Sequence, residues 1–107
     1  MIDNILTFIK TCITESKIIW SYHVNMRLQQ RAITRGSIIS SVETYEIIEQ
    51  YPEDKYFPSY LVFAQAGSNI FHIHIAVDKE GDNVRIITAY KPTLDKWENN
   101  YKTRRQS

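Results

Sequence analysis

The sequence predicts an α+β domain, with N-terminal helices packed on one face of a four-stranded antiparallel sheet and a short C-terminal helix. Three observations predict it. Apolar residues recur at helical spacing up to about residue 44 and alternate after it. Turn residues, Gly67-Ser68 and Gly81-Asp82, separate the later runs by hairpin-length gaps. No helix-period segment lies between those runs, so they join as antiparallel neighbours. The 107 residues, 43% of them hydrophobic and 23% charged, make one domain, 1–107, with one core.

Ile2, Ile5, Leu6, Ile9, Cys12 and Ile13 fall on one stripe of a helix over residues 2–14, with Asp3 in its first turn where an acid suits the dipole. Lys17 to Trp20 is a short β-favouring link. Ser21 suits the N-cap of a second helix, Tyr22 to Ala32, whose apolar stripe is Val24, Leu28 and Ala32. Arg35-Gly36 breaks it, and either Thr34 or Ser37 caps a third helix reaching about Thr44. The strands follow as Tyr45 to Tyr51, Tyr60 to Ala66, Asn69 to Val77 and Asn83 to Tyr90. Pro52 ends the first of them and Pro92 the last. Thr93 is placed to cap a final helix, Leu94 to Asn99, and the tail, 102–107, is expected to fray.

Composition narrows the function classes. No apolar run approaches the roughly 18 residues of a membrane span, and no membrane role is expected. The N-terminus lacks the basic region and small-residue cleavage site of a signal peptide. One cysteine, Cys12, allows no internal disulfide, so a reducing cytoplasm is the expected setting. The net charge of +1 is uninformative, but its distribution is not. Lys17, Arg27, Arg31 and Arg35 stand without an acid between Ser16 and Val42, whereas Glu43 to Asp54 holds only acids. A local basic patch steers anions even on a neutral protein.

In SYHVNMRLQQR, His23, Arg27 and Arg31 recur at intervals of four, which puts them in one stripe beside the core seam of their helix. On the strand from Asn69, Phe71, Ile73, Ile75 and Val77 face the core, while Ile70, His72, His74 and Ala76 face away. Alternation in the last strand puts Ile86, Thr88 and Tyr90 on one face and Arg85, Ile87, Ala89 and Lys91 on the other. A metal reading of His72 and His74 needs further ligands. The only other histidine is His23, and Cys12 lies on a core stripe, so no metal or cofactor is expected. Cleaving RNA without a metal needs a base, an acid and cations for the phosphate. His23, His72 and Tyr90 can exchange protons, and Arg27, Arg31 and Lys91 can hold phosphate. No glycine-rich phosphate loop and no nucleophile elbow compete with this kit.

The motifs SYHVNMRLQQRAI, IIEQYPED, PSYLV, FHIHIAV and IITAYKPTLDKW occur in an order that resembles the domain of unknown function family 4258, over about residues 16–98. The resemblance places the chain with the small RelE- and BrnT-like bacterial toxins. It implies helices on an antiparallel sheet, a metal-independent endoribonuclease acting on RNA, and a cognate antitoxin, commonly a small zinc-finger protein. His23, Arg27 and Arg31 match the family's helix motif, His72 its strand histidine, and Thr88 and Tyr90 its last strand. Thr34-Arg35-Gly36 departs from the pattern. So does His74, at a position usually apolar, and no role is carried onto it.

Three readings therefore compete. In a ribonuclease toxin, Arg27 and Arg31 hold the phosphate, His23 or His72 serves as base or acid, and Tyr90 complements it. In a non-catalytic RNA- or protein-binding module, the same stripe docks phosphate without proton transfer. In a purely structural stripe, Arg27 or Arg31 pairs Glu46 or Glu49.

Overall fold

The computed structural model describes residues 4–105. Ile2 and Asp3 of the first expected helix lie outside the described residues, as do Gln106 and Ser107 of the tail. Among the described residues the order is α1 (Ile5–Thr14), β1 (Ile18–Trp20), α2 (Tyr22–Gln30), α3 (Arg35–Ser40), a 3-10 turn (Val42–Thr44), β2 (Glu46–Tyr51), β3 (Ser59–Ala66), β4 (Asn69–Asp78) and β5 (Asn83–Tyr90). The α+β class holds, but the sheet has five strands, in the order β1-β5-β4-β3-β2. It is mixed, because β1 pairs β5 in parallel, Ile18 opposite Val84 and Trp20 opposite Ile86. A three-residue strand is too short to show a period. It is held by the Val84 N–H on the Lys17 carbonyl and by the Lys17–Asp82 ion pair at 2.6 Å.

Side-chain oxygens cap the three helices: Asn4 accepts from the Thr7 N–H, Ser21 from Val24 and Thr34 from Ser37. α2 stops at Gln30, before the expected end. Ala32 takes φ 56°, its N–H bonds the Gln29 carbonyl and that of Ile33 bonds Leu28, while buried Leu28 and Ile33 complete the motif. Gly36 therefore lies inside α3 and breaks nothing. α3 ends at Ser40, short of Thr44, and Tyr45 is drawn out of β2 as a buried ring whose hydroxyl donates to the Ile38 carbonyl at 2.7 Å.

The core lies between the helices and one sheet face, and includes Ile9, Leu28, Val62, Phe71, Ile73, Ile75, Val84 and Ile86. Burying each such side chain contributes about 1.5–3 kcal/mol. The expected facing of β4 holds. That of β5 does not. Ile75 pairs Ile86 but His74 pairs Thr88, so Ile87 is an extra residue in a bulge. Ile86 and Ala89 are buried in the core, while Thr88 and Tyr90 turn to the outer face with His74 and His72.

The final helix is absent: Thr93 supports a single turn, with its hydroxyl on Asp95, before Trp97 bridges Arg104. The tail expected to fray instead folds back as far as Arg105, whose N–H bonds the Lys96 carbonyl. We call 97–105 the strap. It lies over the outer sheet face at His72 and Phe63, with Trp97 buried and the Lys102 ammonium 4.8 Å from the Phe63 ring centroid. Among the described residues no helix is long and apolar enough to cross a membrane.

Candidate functional site

His72 is fully buried beneath the strap. Its ring packs edge-on against Trp97, centroids 4.4 Å apart, and against Tyr90 at 5.3 Å. Nε2 lies 2.7 Å from the Tyr101 carbonyl, which can only accept, so Nε2 carries the hydrogen. In the neutral ring Nδ1 then accepts from the Tyr90 hydroxyl at 3.3 Å. Burial lowers the His72 pKa, against the opposing pull of the Tyr101 carbonyl and Glu49, which keeps that neutral form. Burial likewise raises Tyr90, with Arg104 pulling the other way, so its hydroxyl keeps its proton.

His74, on the same strand face, sits half-buried in a polar chain. The Ser59 hydroxyl lies 2.6 Å from Asp54 Oδ2 and 2.8 Å from His74 Nε2. A serine that donates to the carboxylate must accept from the imidazole, so His74 carries its hydrogen on Nε2. Nδ1 is left as a lone-pair nitrogen. Burial holds the His74 pKa below its ordinary value, outweighing Asp54 and Glu49, so the ring is neutral at pH 7.

His74, Thr88, Tyr90, Tyr51 and Arg104 border a cavity of about 260 Å³ on the outer face. Arg104 donates to both Glu49 oxygens, Nε at 2.5 Å and Nη2 at 3.2 Å, and its guanidinium lies 4.7 Å from the Trp97 ring centroid. The Tyr51 hydroxyl also donates to Glu49. Burial pushes Glu49 up, but these bonds from Arg104 and Tyr51 outweigh it and hold the carboxyl below its usual value. A neighbouring cavity of about 390 Å³ shares Tyr90 and Arg104 and adds Lys91 and Lys96. The two adjoin at Tyr90 and Arg104, and we call the pair the cleft, with His74 bordering one part and Lys91 and Lys96 the other.

The residues expected in the site divide between two places. His72, Tyr90 and Lys91 are gathered at this cleft, His72 as its buried support. His23 and Arg27 are exposed on α2 and line neither cavity. Arg31 pairs neither Glu46 nor Glu49. It donates to the Ala89 carbonyl at 2.7 Å and to Thr88 Oγ1 at 3.1 Å, securing the β5 edge that β1 leaves open. Lys102 pairs Glu46 and Arg104 pairs Glu49 instead.

Sequence reasoning missed His74, Arg104, Glu49 and the Ser59–Asp54 pair. Period-2 alternation already put His74 beside His72, but Arg104 had no signal because its place depends on the strap folding back. Among the described residues no group of three or more His, Cys, Asp or Glu side chains is placed to hold a metal ion.

Comparison with curated proteins found no match, and comparison with solved structures found none either. The profile of a domain of unknown function, DUF4258, matches residues 20–91, about two thirds of the chain, from the end of β1 through β5, and the protein belongs to that family.

Proposed function

We propose that this protein is a metal-independent endoribonuclease of the toxin–antitoxin type, grouped with the RelE- and BrnT-like toxins, and that it cuts RNA at the His74–Tyr90–Arg104 cleft. The observation that carries the reading is one neutral imidazole and one protonated phenol bordering a single cavity beside an arginine. His74 takes the 2′-hydroxyl proton on Nδ1, and the freed oxygen attacks phosphorus. The P–O5′ bond breaks, and the departing oxygen takes the Tyr90 proton as that hydroxyl turns from His72 Nδ1, leaving a 2′,3′-cyclic phosphate and a 5′-hydroxyl. Arg104, Lys91 and Lys96 offset the charge that gathers on the phosphate. His72 is a positioning residue, because it holds the Tyr90 hydroxyl without reaching the cavity. The proposed setting is the cytoplasm, with RNA as substrate and a cognate antitoxin, of the zinc-finger type, as partner.

Induced expression in bacteria with sequencing of RNA 5′ ends tests this. New ends are expected with the wild type and with His23→Ala/Arg27→Ala, and none with His74→Gln/Tyr90→Phe. Loss in the first double variant with retention in the second would move the active site to α2. One observation favours a second reading, a non-catalytic RNA-binding module: Glu49 already neutralises much of Arg104. That module would bind RNA with a marked salt dependence and leave it intact.

A further inference from the structure

A third cavity, of about 430 Å³, lies next to the 260 Å³ cavity on the same outer face, and Asp54 borders both. Its walls are Tyr56 and Phe57, from the loop between β2 and β3, with Ile87 and Arg85 of β5 and Lys55 at the rim. Its volume lies in the range of about 300–1,000 Å³ typical of small-molecule sites.

Three features point to its occupant. Tyr56 is 80% exposed, an aromatic ring displayed to water with no part in the core. Each ring has a cation at its face: the Arg85 guanidinium stands 4.6 Å from the Phe57 centroid and the Lys55 ammonium 5.2 Å from that of Tyr56. Ile87 is 43% exposed because the β5 bulge expels it from the core alternation. The one extra residue that turns Thr88 and Tyr90 into the catalytic cleft therefore also supplies an apolar wall to its neighbour.

We infer that this cavity stacks a nucleobase of single-stranded RNA beside the phosphate held at the Tyr90 cleft. An exposed ring, Tyr56, beside the half-buried Phe57, each with a cation at its face, suits a flat π-face attached to an anionic backbone. The Asp54 carboxylate at the shared wall can accept hydrogen bonds from base N–H groups and opposes an acidic peptide in the same place. The inference takes its choice of RNA from the proposed function, but stacking needs no catalysis and can be read separately.

The test uses the full chain and fluorescein-labelled single-stranded RNA octamers (runs of A, C or U, and one mixed sequence containing G), read by fluorescence anisotropy. Cleavage of the same RNAs is followed in parallel. Tyr56→Ala should weaken binding about tenfold with an unchanged salt slope, and Tyr56→Phe should restore it. Binding lost in Tyr56→Ala without any cleavage by the wild type would keep the base subsite and remove the ribonuclease. Cleavage by the wild type, with Tyr56→Ala equal to it in affinity and sequence preference, would remove the subsite and keep the ribonuclease. A wild type that neither binds nor cleaves would overturn both.

Discussion

Tyr90 and His72 show how far one hydrogen bond can specify a site. The Tyr101 carbonyl fixes the tautomer of His72, and the tautomer fixes which partner donates to the other. Tyr90→Phe should therefore leave stability within about 1.5 kcal/mol of wild type, the usual net worth of one hydrogen bond, while RNA cleavage falls about 10²- to 10⁴-fold. Thermal melts and a gel-based rate measurement check the two halves. His72→Ala should do the opposite. It opens a hole between Trp97 and Tyr90 and should cost about 2–4 kcal/mol in denaturant unfolding, with binding and rate changed only secondarily. His74→Gln removes the base and should abolish the acid limb of the pH–rate profile. In the wild type that limb lies below pH 6.5, because burial holds His74 under its ordinary value, and the alkaline limb lies above pH 10, because burial raises Tyr90.

α2 ends where backbone geometry, not composition, ends it. Ala32 occupies a left-handed position that costs an alanine about 1 kcal/mol, so Ala32→Gly should raise the melting temperature slightly although it removes a side chain. Glycine is the usual signal and points to Gly36 as the breaker, whereas the αL residue here carries a methyl group. Arg31 and Arg27 look alike in sequence, four residues apart on one stripe, yet only Arg31 reaches the β5 edge. Arg31→Ala should lose about 1.5–3 kcal/mol, the range for hydrogen bonds made by a charged group, whereas Arg27→Ala should stay within about 0.5 kcal/mol of wild type. Urea unfolding of the two variants separates them. The strand period was legible for β4, where every pairing is regular on the β3 side, and failed in β5 at Ile87. A bulge has no composition signal in a run such as VRIITAY.

Across the whole molecule, several local signals read correctly, though not the Gly36 break or the Thr93 helix, and long-range closure did not read at all. Caps, hairpin turns and the alternation of β4 follow from neighbours in sequence. The parallel pairing of β1 with β5 joins residues more than sixty positions apart, and the strap joins Arg104 to Glu49 across a similar span. His72, Tyr90 and Lys91 were visible in the sequence, and His74 in the alternation of β4; Arg104 on Glu49 exists only because the strap closes. Stability should follow the two histidines. Both hold their neutral form in the fold below the ordinary pKa of 6.5, so the unfolded chain binds more protons just under that pH. Their contribution is complete above pH 6.5 and is lost as pH falls towards their lowered values. The melting temperature should therefore drop between pH 7.5 and pH 5, by less in His72→Gln. The measurement that bears most directly on the central claim is incubation of purified protein with single-stranded RNA in excess chelator, followed by analysis of the new ends. Cleavage leaving 2′,3′-cyclic phosphate and 5′-hydroxyl ends, slowed at least about 10²-fold in Tyr90→Phe and in His74→Gln, is the predicted result. Intact RNA with folded wild-type protein, or cleavage undiminished in both variants, would contradict it.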